Sequence, residues 1–330
     1  MIIAQKDFSA KCYLIAEAGN NHEGDFQRAL DLVDAAAESG AHAIKFQTIY
    51  PEKLVSFKET ARLAQLKKFE LSKDQYIQLK ERADSKNIDF LSTPFALDAV
   101  EALDPLVPAF KIASGDITWH ALIQKVASTG KPVFLSTGGA SIDEVKAAIS
   151  AYEKGKLNYP SQLVVMHCVM AYPAPAENLN LYVISKYKSI FHKVGYSDHY
   201  LGIQACIAAA ALGANVIEKH FTLNKNTSDF RDHQLSADPK DMKILTTTIN
   251  EMLPMLGKAD KDIQDCEKDI LRVARRSPKA RHDLKKGHTL TENDILMLRP
   301  NSGLDAHTPL IGKVLSENTN KGSDIKIEEI

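Results

Sequence analysis

Short apolar, β-prone runs alternate with longer amphipathic segments through the first two thirds of this chain. The runs fall at 13–16, 43–46, 88–91, 109–112, 133–135, 163–167, 193–195 and 215–218. Between them, 25–39, 73–86, 142–152, 202–212 and 239–256 read as helices. In the first of these, Phe26, Ala29, Leu30, Val33, Ala36 and Ala37 recur at three- and four-residue steps, so one helix face is apolar. Gly40, Gly130 and Gly213 each follow such a segment, where a left-handed residue is expected to end a helix. Strands apolar on both faces need helices over them, which predicts a parallel sheet. Eight strand–helix repeats close into an α/β fold, the (β/α)8 TIM barrel; a doubly wound open sheet is the alternative.

The texture changes after position 257. Residues 258–276 form a charged, helix-compatible connector, whose 19 residues would span roughly 28 Å as a helix. From 277 to 330, short β-like runs are separated by KKG, NSG and NKG turns, so this stretch reads as a small β-rich module. The expected organisation is a barrel at 1–257, a linker at 258–276 and a separate domain at 277–330. The 330 residues suit a barrel of about 250 residues with a module of about 50.

Composition narrows the function classes. The chain is 44% hydrophobic and 25% charged, as globular proteins are. Forty-one basic and 42 acidic residues leave a net charge of −1, which argues against a nucleic-acid or membrane-surface role. Cys12, Cys168, Cys206 and Cys266 are scattered and form no CxxC pair, so neither a disulfide framework nor a zinc knuckle is expected. The N-terminus has no signal-peptide pattern and no apolar run is long enough to span a bilayer, so a cytoplasmic protein is expected.

Polar residues of catalytic type stand at the C-terminal end of nearly every predicted strand. They are Glu17; Lys45 and Gln47; Ser92 and Thr93; Lys111 and Ser114; Ser136 and Thr137; His167; Ser197, Asp198 and His199; and Glu218, Lys219 and His220. In a barrel these ends converge on one mouth, where such enzymes place their sites. His199 and His220, from adjacent strands, could hold a divalent ion with positions open for substrate. With no HExxH spacing and no thiolate partner, exchangeable manganese, magnesium or cobalt fits better than structural zinc. Lys45, Lys111, Ser114, Ser197 and the turn at 136–138 could surround a phosphate or carboxylate, or the lysines could be ion-paired structural residues. Glu17 could take a proton from water or serve as a counter-ion. In NNHEGD, Glu23 is expected to cap the following helix, and His22 is left between capping and substrate contact.

The motifs IAEAGNNHEGD, IKFQT, LSTPF, FKIASGD, LSTGG, HCVMAYPAP, GYSDH and IEKHFT, in this order, resemble those of the sialic acid (N-acetylneuraminate) synthase family, including legionaminic and pseudaminic acid synthases. The tail resembles the antifreeze-like (SAF, β-clip) domain that ends those enzymes. The resemblance implies condensation of phosphoenolpyruvate with an open-chain N-acetylated amino-hexose aldehyde. Water is consumed, and a nine-carbon 2-keto sugar acid and phosphate are formed. It implies Glu17 as the water-activating catalytic residue, with Asp116 also catalytic, and His199 and His220 as ligands of a divalent metal, Mn2+ first, then Mg2+ or Co2+. Lys45, Thr93, Lys111, Ser114, Ser136 and Ser197 fall on phosphoenolpyruvate contacts; Gln47, Tyr172 and Asp232 fall on the amino-sugar side. Arg299 matches an arginine presented to the neighbouring barrel in a domain-swapped homodimer.

Some positions depart from the family pattern. Asp116 is one methylene shorter than the glutamate of some relatives, Met170 replaces a polar residue, and Arg275 replaces an apolar or aromatic one. The segment SDFRDHQLSADP is more charged than a typical GPDH-type loop. These departures bear on which sugar is taken. Two other functions compete: a Schiff-base aldolase using Lys45, Lys111 or Lys219, and a non-catalytic carbohydrate-binding protein.

Overall fold

The computed structural model describes residues 2–3, 6–7 and 12–327, in two compact units, Met1–Gly257 and Lys258–Ile330. In the first, eight parallel strands run β1 (Tyr13–Gly19), β2 (Ala43–Thr48), β3 (Asp89–Pro94), β4 (Phe110–Ile112), β5 (Val133–Ser136), β6 (Leu163–Cys168), β7 (Val194–Asp198) and β8 (Val216–His220). Their lateral order is β3-β2-β1-β8-β7-β6-β5-β4, and β3 packs beside β4. That cyclic order is a barrel and rules out the doubly wound sheet, whose strand order reverses at a switch point.

Alternation along each strand separates two apolar layers. Tyr13, Ile15, Ala43, Leu91, Ala109, Phe134, Val164, Met166 and Val216 cluster together with Ile3 from the N-terminal hairpin. Their neighbours Leu14, Ala16, Ile44, Phe46, Phe90, Phe110 and Ile112 pack in the larger cluster with the helices. The first set fills the barrel, and the second seals it against its helical coat. Burying each large aliphatic side chain in that coat contributes about 1.5–3 kcal/mol.

The helices start where the chain offers a cap. Asp25 accepts from the Arg28 amide ahead of helix Phe26–Glu38, and capping boxes at Ser72/Gln75 and Ser141/Glu144 open Lys73–Ser85 and Ile142–Gly155. Glu23, expected in that capping role, takes the left-handed conformation (φ 50°) two residues earlier. Its Oε1 instead accepts from Arg28 Nη1 at 3.1 Å, Ser228 Oγ at 3.0 Å and His233 Nε2 at 3.1 Å. Gly24 follows with φ +85°, and a Cβ there would lie 1.9 Å from the carbonyl oxygen of Lys68. Lys68 belongs to helix Thr60–Phe69, which follows β2.

In the second unit the charged, helix-compatible stretch 258–276 is helical only in its second half. Residues 258–264 are irregular; a short turn of 3-10 helix, Asp265–Glu267, leads into Lys268–Ala274. The sequence KADKDIQ carries one large apolar residue, Ile263, and so has no stripe to bury. Its aspartates compete with helical backbone bonds, and a Gln264/Glu267 capping box begins the helix later. Beyond it β9 (Ser277–Ala280) pairs antiparallel with β10 (Ile295–Leu298), and isolated bridges tie Leu284 to Thr319, Thr289 to Val314 and Leu315 to Ile327. Ala280, Leu284, Leu290, Leu310, Leu315 and Ile325 form a small core. The final three residues of the 277–330 module lie outside the described residues.

Candidate active site

The strand rows that begin as barrel core end as polar groups. Continuing two residues at a time, Ile15 leads to Glu17, Ala43 to Lys45, Leu91 to Thr93 and Ala109 to Lys111. Likewise Phe134 leads to Ser136, Met166 to Cys168, Gly195 to Ser197 and Val216 to Glu218 and His220. All nine of these polar residues line one cavity of about 360 Å³, together with Gln47, Ser114, Asp116, Tyr172 and His199.

At its floor two lysines and two carboxylates interlock. Lys45 Nζ lies 2.5 Å from Glu17 Oε2 and 3.8 Å from Glu218 Oε2, and donates to Thr93 Oγ1 at 2.9 Å. Lys111 Nζ and Ser197 Oγ both donate to Glu218 Oε1, at 3.1 and 3.0 Å. Gln47 Nε2 donates to Glu17 Oε1 at 3.2 Å. Burial pushes the Glu17 carboxyl well above the usual carboxylate range; Lys45 opposes the shift and the Glu218 charge adds to it. Burial would raise Glu218 too, but the ammonium groups of Lys111 and Lys45 and its hydrogen bonds outweigh it and hold the group low.

Next to this floor stands the turn at 136–138. Gly138 N donates to Ser114 Oγ at 3.0 Å, and a Cβ at Gly138 would come within 2.9 Å of that oxygen and 3.1 Å of Cys168 Sγ. Ser136 Oγ and Asp116 Oδ2 are buried without a hydrogen-bond partner among the described residues. Burial raises the Asp116 carboxyl.

The two histidines meet on the other side. Their ring centroids are 5.4 Å apart, and the Tyr172 ring covers His199 at 4.1 Å. His199 Nδ1 lies 2.7 Å from the Val169 carbonyl oxygen, which can only accept; Nδ1 therefore carries the proton and Nε2 keeps its lone pair. His220 Nδ1 is a buried atom with no hydrogen-bond partner among the described residues. Burial lowers both pKa values, and for His220 the neighbouring His199 and the lysines lower it further. Two neutral imidazoles with available lone pairs fit a borderline divalent cation. Among the described residues no group of three or more His, Cys, Asp or Glu side chains converges as a metal site.

Other expected residues lie elsewhere. Ser92, Thr137, His167, Asp198 and Lys219 end strands too, but on the outward row: Ser92 Oγ meets Thr48 Oγ1, Thr137 Oγ1 donates to the Met166 carbonyl, and His167 Nε2 meets the Leu179 carbonyl. Lys219, one of the candidate Schiff-base lysines, is paired with Asp198 behind the wall. His22 is buried, with Nδ1 accepting from Gly24 N at 3.1 Å, and does not line the cavity. Asp232, on the short helix Arg231–Leu235, is not among the lining side chains. Arg299 is exposed just after β10 in the second unit. In the sequence Glu218 reads only as a strand end, yet it bonds one floor lysine and faces the other; its parity with Val216 is the signal that finds it. Half-exposed Met170, with Leu54 and Phe95, forms an apolar part of the lining.

The NeuB family matches residues 32–261 of the chain. The N,N'-diacetyllegionaminic acid synthase of Legionella pneumophila is 38% identical over 99% of this chain and 97% of its own. The enzyme of the same name from Campylobacter jejuni is 37% identical, over 93% and 97%. The solved structure of N-acetylneuraminic acid (sialic acid) synthetase from Leptospira borgpetersenii, in complex with citrate, superposes with a TM-score of 0.74 at 36% identity, covering 79% of this chain and 90% of that one. No helix among the described residues is long and apolar enough to cross a membrane.

Proposed function

Because the chain belongs to the NeuB family, we propose that it condenses phosphoenolpyruvate with an open-chain N-acetylated amino-hexose and water, giving a nonulosonic acid and phosphate. The observation that carries this reading is one cavity in which paired lysines and an unpartnered serine hydroxyl adjoin two neutral imidazoles. Lys45 and Lys111 turn ammonium donors toward phosphoenolpyruvate, and the hydroxyls of Thr93, Ser114, Ser136 and Ser197 stand beside them. When bound by His199 and His220, a divalent cation (Mn2+ first, Mg2+ or Co2+ otherwise) supplies Lewis-acid polarisation of the aldehyde oxygen. The π pair of phosphoenolpyruvate joins carbon-3 to the aldehyde carbon and leaves carbon-2 cationic, while the aldehyde π pair passes to its oxygen, which takes up a proton. Glu17 takes a proton from water as its oxygen adds to carbon-2; the carbon–oxygen bond to phosphate then breaks, its electron pair leaving with phosphate as the new hydroxyl loses its proton to form the 2-keto group. Burial makes Glu17 a stronger base than an exposed carboxylate, and Lys45 beside it favours the ionised form.

The acceptor proposed first is a diacetamido-trideoxy hexose. Support comes from the two diacetyllegionaminic acid synthases among the relatives and from the apolar lining at Met170, Leu54 and Phe95. Gln47 and Tyr172, which line the cavity, and Asp232, which does not, are the proposed sugar-side residues, and Asp116 is proposed as a second catalytic group. The tail is proposed to be an antifreeze-like domain that, in a homodimer, offers its exposed Arg299 to the partner's barrel. The test is phosphate release from phosphoenolpyruvate across aldehyde sugars that include N-acetylmannosamine and diacetamido-trideoxy hexoses. Release with one of them is expected; no release with any, in metal-replete enzyme, would overturn the reading.

A further inference from the structure

Behind the barrel wall, Lys219 and Asp198 form an ion pair that is almost wholly inaccessible, with side chains 1% and 0% exposed. They are directly opposed partners at the last rung joining β8 to β7. The next residue on each strand is an inward histidine: His199 after Asp198, His220 after Lys219. The β7 strand ends at that rung, so sheet hydrogen bonds no longer fix His199 relative to His220.

Side chains replace them. Lys219 Nζ donates to Asp198 Oδ2 at 2.7 Å and also to the Tyr200 carbonyl oxygen. Asp198 Oδ1 in turn accepts from Tyr200 N at 3.0 Å and Tyr196 OH at 2.8 Å. One ammonium group on the His220 strand therefore holds the side chain that precedes His199 and the backbone carbonyl that follows it. A buried ion pair is costly to desolvate and often no more stabilising than apolar residues of similar volume, so folding alone does not account for a charge at this place.

We propose that Lys219 is a positioning residue, which with Asp198 holds the two imidazoles at the separation that captures a divalent cation, without itself reaching the cavity. This rests on the two-histidine reading above. No chemistry passes through Lys219; it sets where two ligands stand.

The test uses the full-length protein and Co2+ as the probe, with affinity read by titration calorimetry and by the visible absorption of bound cobalt. The double variant Asp198→Asn/Lys219→Met removes both charges and keeps an acceptor for Tyr200 N. It is expected to fold and to bind phosphoenolpyruvate as the parent does, but to bind Co2+ about 10–100-fold more weakly, as changes behind metal ligands do. Parent-like Co2+ affinity in the folded variant overturns the proposal. If the double variant does not fold, Lys219→Arg serves: it keeps the charge but carries a broader head that does not match both partners, and the same loss is expected, with unchanged affinity again overturning the idea. His199→Ala and His220→Ala separate the two claims. If neither weakens Co2+ binding, the two-histidine reading fails. If both do while the Lys219 variants bind normally, only the positioning role fails.

Discussion

Glu17 and Glu218, on adjacent strands, face the same ammonium group of Lys45 at 2.5 and 3.8 Å, yet their carboxyls are displaced in opposite directions. Glu218 has a second lysine and a serine donor; Glu17 has the deeper imbalance between burial and compensation. The two titrate as a pair, and any apparent values belong to the pair.

A pH profile should report this. As a base Glu17 works ionised, so kcat/KM should fall as pH drops through its raised pKa, with the acidic limb above the ordinary carboxylate range. Glu17→Gln should lose about 10²–10⁴ in turnover and lose that limb with it. An identical limb in the residual activity would remove Glu17 from the role. The stability signs differ. Raised Glu17 lowers stability as pH climbs from its unfolded to its folded value. Depressed Glu218 contributes stability above its unfolded value, lost as pH falls through the folded one.

Glu218→Leu leaves Lys111 buried without its carboxylate. Breaking one side of a buried pair costs about 3–5 kcal/mol, read as a lowered urea midpoint with unchanged slope. Inorganic phosphate should return part of that loss, because an anion bound between Lys45 and Lys111 stabilises the fold by mass action. A midpoint insensitive to both changes would contradict the charge balance drawn for the cavity floor.

Addition of water to carbon-2 predicts which bond is broken. Phosphoenolpyruvate labelled with heavy oxygen at the bridging position should yield phosphate that retains the label, measured by mass spectrometry of the released phosphate. Unlabelled phosphate would mean phosphorus–oxygen cleavage and would exclude the assigned role of Glu17.

The shared-site proposal has a complementation test. Glu17→Gln and Arg299→Ala subunits, each inactive alone, should regain activity when exchanged into heterodimers, because one mouth then combines Glu17 from one chain with Arg299 from the other. No recovery after demonstrated subunit exchange, from two inactive parents, would rule out sharing.

The barrel was legible because its strands are apolar on both faces, and that pattern has few solutions. Strand starts agreed to within one residue from Tyr13 to Val216. The cavity was legible only in part. Strand ends mark the mouth, but His167 and Cys168 are adjacent in sequence and face opposite ways, as do Asp198 and Ser197. A list of polar strand ends mixes those rows, whereas counting back by twos to the barrel core separates them. Within the helix-compatible connector, charge density in 258–264 resembles a solvated helix, but only an apolar stripe and a cap give such a segment reason to coil.

Gly24 makes one helix readable in other sequences. With 1.9 Å between a hypothetical Cβ and the Lys68 carbonyl oxygen, any side chain at position 24 evicts helix Thr60–Phe69 from its seat. In a newly sequenced homologue, a bulkier residue at the matching place therefore signals that this helix has moved, shortened or been deleted. A single letter of the first loop thus serves as a diagnostic for a helix some forty residues downstream.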